Sequence, residues 1–235
     1  LRGYTPRVIF LYMLVGACQL GIMYLFVFQA YLYLTVPEFL LFTVMTPLYV
    51  TLIYDLLSRQ RLRWGYVMSA LLAVFGAAVI HYHGVSEHFW WGFLLVQAAN
   101  VCFAAGQVGY KRLMELYPVP QHCAFSWFYL GAAIVTIAAW LLFGNLDKLP
   151  TTTLQWGVLA WLGIGASGLG YFMWNYGATQ VDAGTLSIMN NFHVPAGLLV
   201  NFAIWHKTPD WLSFIVGTAI ITSSLWVHQH WVVKH

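Results

Sequence analysis

Two Asn, a His and a Pro stand together in NNFHVP, residues 190–195, inside the otherwise apolar stretch SIMNNFHVPAGLLVNFAIW. Such groups are costly in hydrocarbon, and they usually face other protein or a water-filled cavity. At 100° per residue, Asn190, His193, Gly197 and Asn201 fall within one helix face. Gln97, Asn100, Ala104, Gln107 and Lys111 share a face of another apolar stretch, and Gln19, Thr43 and Thr46 lie near the centres of two more. One Asn or Gln alone reads as glue between helices. The set, spread over at least four helices at similar depth, reads as the lining of a cavity. His193 is the one ionisable side chain near the centre of such a stretch, and its charge changes near physiological pH. It offers either a proton or ligand site or a neutral ring bonded to a nearby Asn or carbonyl. Neither Asp nor Glu stands at that depth, which disfavours a carboxylate proton relay.

Pro47 and Pro195 lie near the centres of their stretches. Lacking an N–H, they free the carbonyls of Thr43 and Asn191. Each therefore predicts a kink with an exposed acceptor beside polar side chains. Freed backbone at that depth is tolerated where it lines a cavity or finds a partner.

These residues must be held by membrane-spanning helices. The chain has 235 residues, of which 61% are hydrophobic and 7% charged. Soluble domains average about 25% charged. A net charge of +3, with the basic residues in short loops, gives no sign of a nucleic-acid partner. A span takes about 20 apolar residues, and eight stretches qualify, at roughly 8–30, 36–57, 64–82, 89–110, 122–144, 154–178, 183–205 and 211–229. They are too long for transmembrane strands. The expected fold class is an all-α polytopic membrane protein. Arg2, Arg7, Arg59, Arg61, Arg63, Lys111, Arg112 and Lys234 fall on one side of these spans, and Lys148 and Lys207 on the other. This bias places both termini in the cytoplasm. Trp64, Trp90, Trp91, Trp211 and Trp231 stand at span ends as interfacial anchors do.

A weak internal repeat runs through the chain. Pro47 and Pro195 are 148 residues apart, as are Ala30 and Ala178, while Trp64 and Trp211 are 147 apart, as are His81 and His228. The first three spans thus read as a copy of the last three. Five helices separate corresponding copies, so the second copy must be inverted, an arrangement frequent in secondary transporters.

QAYLYLTVPEFLLFTVMTPLYVTLIYDLLSRQRLRWGYVMSALLAVFGAAVI resembles the second half of an EamA-type repeat, with its central "TP" helix, basic turn and Gly-containing closing helix. WNYGATQVDAGTLSIMNNFHVPAGLLVNFAIWHKTPDWLSFIVGTAIITSSLWV resembles the same element again, and GFLLVQAANVCFAAGQVGYKRL the helix that opens the second repeat. The resemblance is to the drug/metabolite transporter superfamily, and within it to bacterial exporters of amino acids and related metabolites. It implies a ten-helix inverted-repeat fold. Residues 1–86 would be the remainder of the first repeat (three helices) and residues 87–235 the second repeat (five helices). The two helices not seen would open repeat one, ahead of LRGYTPR. Where the family often has Glu-Arg after the Pro helix, this chain has Gln60-Arg61 and His206-Lys207.

The resemblance implies a secondary transporter of the bacterial inner membrane that moves a small metabolite, such as an amino acid or amine, by alternating access, with export as the direction. Asn190, His193, Asn100, Gln97, Asn191, Gln19 and Trp174 are the expected substrate contacts, with Tyr171 and Tyr176 as further walls. Pro47 and Pro195 are the expected hinges, and proton coupling would run through His193. No fixed cation is placed at the midplane, which disfavours a sugar phosphate. The rival readings are an intramembrane lipid-modifying enzyme, which would want a His/acid cluster at one interface, and a non-transporting scaffold.

Other motifs carry less. GIGASG (163–168) matches G-x-G-x-x-G but lies inside a span, so close helix packing is expected rather than a dinucleotide cofactor. HYH (81–83) and HQH (228–230) fall on opposite sides and read as interfacial ends. Cys18, Cys102 and Cys123 suggest no disulfide framework. Neither a metal nor another cofactor is expected.

Overall fold

The computed structural model describes residues 5–58, 64, 67–68, 71–72, 75, 89–206 and 210–232. All regular structure among them is helical. The expected span 64–82, the SRQRLR turn, the HYH pair and Arg59, which stands four residues after Asp55 at ion-pair spacing, lie wholly or mostly outside these residues.

Among the described residues, four helices are long and apolar enough to cross a membrane alone: α1 (Pro6–Ala30), α4 (Phe89–Leu116), α5 (Gln121–Phe143) and α6 (Thr153–Ala178). The others come in pieces: α2 (Val36–Thr43), α3 (Thr46–Leu57), α7 (Ala183–Met189), α8 (His193–Trp205) and α9 (Trp211–Val227). Their starts follow local chemistry. Thr5 accepts from the Val8 N–H at 3.3 Å, with Pro6 in the first turn where no N–H is needed. Thr152 and Gln155 form a reciprocal capping box at the head of α6. Asp182 and Asp210 cap α7 and α9.

Helices α1, α4 and α5 pack around Tyr12, Tyr110, Phe125 and Phe128. Between membrane helices, close backbone approach replaces the hydrophobic effect as the driving force. A Cβ at Gly16 would lie 1.8 Å from the Phe128 carbonyl oxygen, and one at Gly131 would lie 1.9 Å from that of Met13. The two glycines let α1 and α5 touch main chain to main chain. On the other side α3, α4 and α7 meet through Val50, Ala104, Val108 and Leu186.

The glycines of GIGASG meet the expected helix packing only in part. The stretch Trp161–Gly170 within α6 is π-helical. A Cβ at Gly163 would meet nothing within 4 Å, and at Gly170 it would meet only a carbonyl of the same helix. A Cβ at Gly165 would meet only Trp161 of the same helix, whereas one at Gly168 would lie 3.7 Å from the Tyr129 hydroxyl of α5. Helix–helix packing therefore accounts for Gly168 but not for the others, which lie in the wider π turn, and such turns often mark functional segments.

Candidate substrate site

Both Pro stretches kink, with α-helical hydrogen bonding interrupted just ahead of the proline while the backbone stays right-handed helical. Helix α2 ends at Thr43, and α3 begins at Thr46 with Pro47 in its first turn. Helix α7 ends at Met189, a 3-10 turn spans Asn190–Phe192, and α8 begins at His193 with Pro195 in its first turn. Proline is tolerated in a first turn and breaks a helix interior, so the chain restarts each helix just ahead of it. Each break is closed by the same bond, from the first side chain of the new helix to the carbonyl three residues back. Thr46 Oγ1 donates to the Thr43 carbonyl at 2.6 Å. His193 Nδ1 lies 2.5 Å from the Asn190 carbonyl. A carbonyl only accepts, so Nδ1 carries the proton.

The breaks cross each other. Asn191 Nδ2 donates to the Val44 carbonyl at 3.2 Å, and Thr43 Oγ1 lies 3.3 Å from His193 Nε2. Val44, Ile188, Val194 and Ile221 pack together there. Below the crossing, Ser187 Oγ and Thr51 Oγ1 both donate to the Pro47 carbonyl, at 2.6 and 3.0 Å.

A cavity of about 390 Å³ opens against this crossing. That volume is in the range of small-molecule sites. Its polar lining is Thr43, Thr46, Asn100, Asn190 and His193, and its apolar lining includes Met23, Val27, Phe39 and Phe103. Helix α6 closes one side with Ala166, Gly170, Tyr171 and Trp174. Of the expected contacts, Asn190, His193, Asn100 and Trp174 are thus brought to one wall space. Gln97 stands behind them: its Oε1 accepts from Tyr49 at 3.0 Å and Asn100 at 3.2 Å. Asn191 is fully buried in the crossing itself. Gln19 does not line the cavity. Its amide pairs reciprocally with Asn175, at 3.0 and 3.2 Å, and so ties α1 to α6. Tyr176 is also outside the lining.

Gln107 has a role that its face alone did not show. It is fully buried, and its Oε1 accepts from Asn190 Nδ2 at 3.1 Å, which orients the cavity amide. Polarity on the α4 face was the available signal; the partner was not.

The helix ends carrying most Lys and Arg are held together by polar contacts. Lys111 Nζ donates to the Val181 carbonyl at 2.6 Å and lies 3.3 Å from Glu115, as the i,i+4 spacing predicts. Tyr54 donates to Glu115 at 3.3 Å, and Arg112 pairs with the same carboxylate. His228, expected as an interfacial end, is instead fully buried with Nε2 2.7 Å from Asp182 Oδ1. Burial alone would raise the Asp182 carboxyl. The hydrogen bonds from His228 and from the side chain and backbone of Thr185 outweigh it, holding the group well below the usual carboxylate range. No group of His, Cys, Asp and Glu among the described residues could hold a metal ion.

Residues 90–228 match the model of the EamA-like transporter family. The chain belongs to the EamA-like transporter family. It thereby falls within the drug/metabolite transporter superfamily. It is 68% identical over 231 residues to the "Biotin transporter" of Salmonella typhimurium, covering 98% of this chain and 77% of that protein. It is 67% identical, with the same coverage, to the "Biotin transporter" of Escherichia coli (strain K12). The "Probable biotin transporter" of Pseudomonas aeruginosa is 52% identical over 230 residues, 97% of this chain and 80% of that one. A solved crystal structure at 21% identity superimposes with a TM-score of 0.77, over 94% of this chain and 77% of that chain, and shows the fold. This chain is a multi-pass protein of the bacterial inner membrane and a transporter of a small metabolite.

Proposed function

We propose that the protein moves biotin across the inner membrane by alternating access, with the substrate held where the two broken helices cross. The observation that carries this is the cavity itself. Discontinuous helices at the interface between repeats form the midplane sites of many secondary transporters. Here the two breaks touch through Asn191 and Val44, and Thr43, Thr46, Asn190 and His193 face the space beside them. The names of the relatives turn the substrate from an amino acid or amine to biotin. The mostly apolar lining with a few fixed polar groups suits biotin's fused rings and aliphatic tail.

The shared closing bond, Thr46 to Thr43 and His193 to Asn190, supports two inverted EamA-type repeats, residues 1–86 and 87–235, within an eight-span portion of a ten-helix fold. Both ends of this portion lie in the cytoplasm. Asn190, His193, Asn100 and Trp174 contact the substrate directly. Gln97, Gln107 and Asn191 hold those contacts in place, and Gln19 with Asn175 fixes α1 on α6. Pro47 and Pro195 set the hinge points. Proton coupling runs through His193, whose Nδ1 is committed to a carbonyl and whose Nε2 faces the cavity side of Thr43.

The test is counterflow in proteoliposomes of the full-length protein, preloaded with biotin or with a panel of amino acids and amines. Saturable uptake of labelled biotin driven by internal biotin supports the reading. Exchange of an amino acid with indifference to biotin would return the substrate to the class implied by the first resemblance. Sided loading in the same assay reads the direction, for which the resemblance implies export.

A further inference from the structure

The five polar side chains on the cavity wall share a property that none shows alone. Thr43 Oγ1 donates to the Leu40 carbonyl at 2.7 Å, and Thr46 Oγ1 to the Thr43 carbonyl at 2.6 Å. Asn100 Nδ2 donates to the Phe42 carbonyl at 2.9 Å and to Gln97 Oε1 at 3.2 Å. Asn190 Nδ2 donates to the Leu186 carbonyl at 2.9 Å and to Gln107 Oε1 at 3.1 Å. His193 Nδ1 donates to the Asn190 carbonyl at 2.5 Å. In every case a main-chain carbonyl is one of the acceptors, and a carbonyl cannot exchange roles. It fixes which end of each amide, and which nitrogen of the ring, faces the protein.

A hydroxyl has one proton, a carboxamide two and a neutral imidazole one. After these bonds, each side chain has only lone pairs left to offer. Thr43 Oγ1 and His193 Nε2 lie 3.3 Å apart, and the one hydroxyl proton lies between the Leu40 carbonyl and Nε2, so neither atom has a proton left for a ligand. Asn100 Oδ1 and Asn190 Oδ1 offer two acceptors. Neither Lys nor Arg is among the lining residues to draw an anion to this wall. The protons available to a ligand belong to α6 on the facing side: the Tyr171 hydroxyl and Trp174 Nε1–H, the latter buried and unpartnered among the described residues.

We infer that this wall is an acceptor-only surface that selects substrate by its N–H groups, so that biotin docks by its ureido edge and keeps its carboxylate away from Asn100, Asn190 and His193. The inference rests on the biotin reading for its ligand, but the wall's polarity does not depend on it. An acceptor wall desolvates a carboxylate against lone pairs, which is costly. A paired N–H edge instead returns the hydrogen bonds it loses to water.

The test is competition against labelled biotin in counterflow through the full-length protein. Biotin methylated on the ureido nitrogens should compete at least ~30-fold more weakly than biotin, at about a tenfold loss for each hydrogen bond removed. Biotin amide, with the tail charge removed and the ureido group intact, should stay within about fivefold of biotin. Asn100→Ala and Asn190→Ala should each shrink the gap between biotin and its methylated form. The unaltered protein decides the matter if those variants do not fold. Equal competition by the methylated compound, or a loss with the amide as large as with methylation, would overturn the inference. Biotin that is not exchanged at all would sink the biotin reading separately. The wall is then judged by thermal stabilisation in detergent with 2-imidazolidinone and its N,N′-dimethyl form. Stabilisation by the first alone supports it; equal effects, or none, contradict it.

Discussion

The break at Val44–Met45 and the break at Asn190–Phe192 are closed by the same bond, yet they leave different groups behind. In the first, the Thr46 hydroxyl spends its only proton on the Thr43 carbonyl, and the bond is short and local. In the second, His193 spends Nδ1 and still has Nε2, while Asn190 spends its amide protons and still has an oxygen. The first break is also gripped from below, where Thr51 and Ser187 hold the Pro47 carbonyl. A chain break and a binding surface are thus separable. The proline makes the break, and the length and atom count of the neighbouring side chains decide whether it can read a ligand.

The sharpest way to break this comparison is Asn190→Ala. It removes a cavity acceptor and strips Gln107, already buried with its Nε2 unpartnered, of its remaining side-chain partner. Biotin exchange should fall about 100-fold in kcat/KM, since an unsatisfied buried group costs about 1–3 kcal/mol beyond the lost ligand contact. His193→Ala should cost about 30-fold, read as a raised KM, while His193→Gln should recover part of it by supplying a hydrogen-bonding group of similar reach. Gly184→Ala tests the anchor beneath the second break. Its Cβ would lie 1.9 Å from His228 Cε1 and 2.3 Å from Nε2, so His228 must leave Asp182. Thermal unfolding in detergent should show a loss of about 1–3 kcal/mol, the usual cost of overpacking. Thr46→Val at the first break should change biotin KM by less than about threefold, because Thr46 is not among the direct substrate contacts, which are Asn190, His193, Asn100 and Trp174.

Much of this was legible in the sequence. Spans expected at 8–30, 89–110, 122–144 and 154–178 match α1, α4, α5 and α6 to within several residues, because long apolar runs admit few other solutions in lipid. Asn100, Asn190 and His193 stood out as polar groups in apolar runs, and all three line the cavity. What stayed hidden depends on partners distant in the chain. Gln19 was indistinguishable from Asn100 until Asn175 was seen to take both ends of its amide. Asp182 and His228 are 46 residues apart, and nothing in HQH names its acid. Periodicity marks a face; it does not show which proton each side chain has already given away. The missing N–H of each proline makes its interruption legible, but not the 3-10 turn at Asn190–Phe192 or the bonds that close each site.

The central claim is that substrate sits at the second break, against Asn190 and His193. A biotin-bound cryo-electron microscopy structure of the full-length protein tests it most directly. Ligand density is expected in the cavity beside α6, with a ureido nitrogen within hydrogen-bond distance of Asn190 Oδ1 or His193 Nε2. Density elsewhere in the bundle, with Asn190 and His193 untouched, would contradict it.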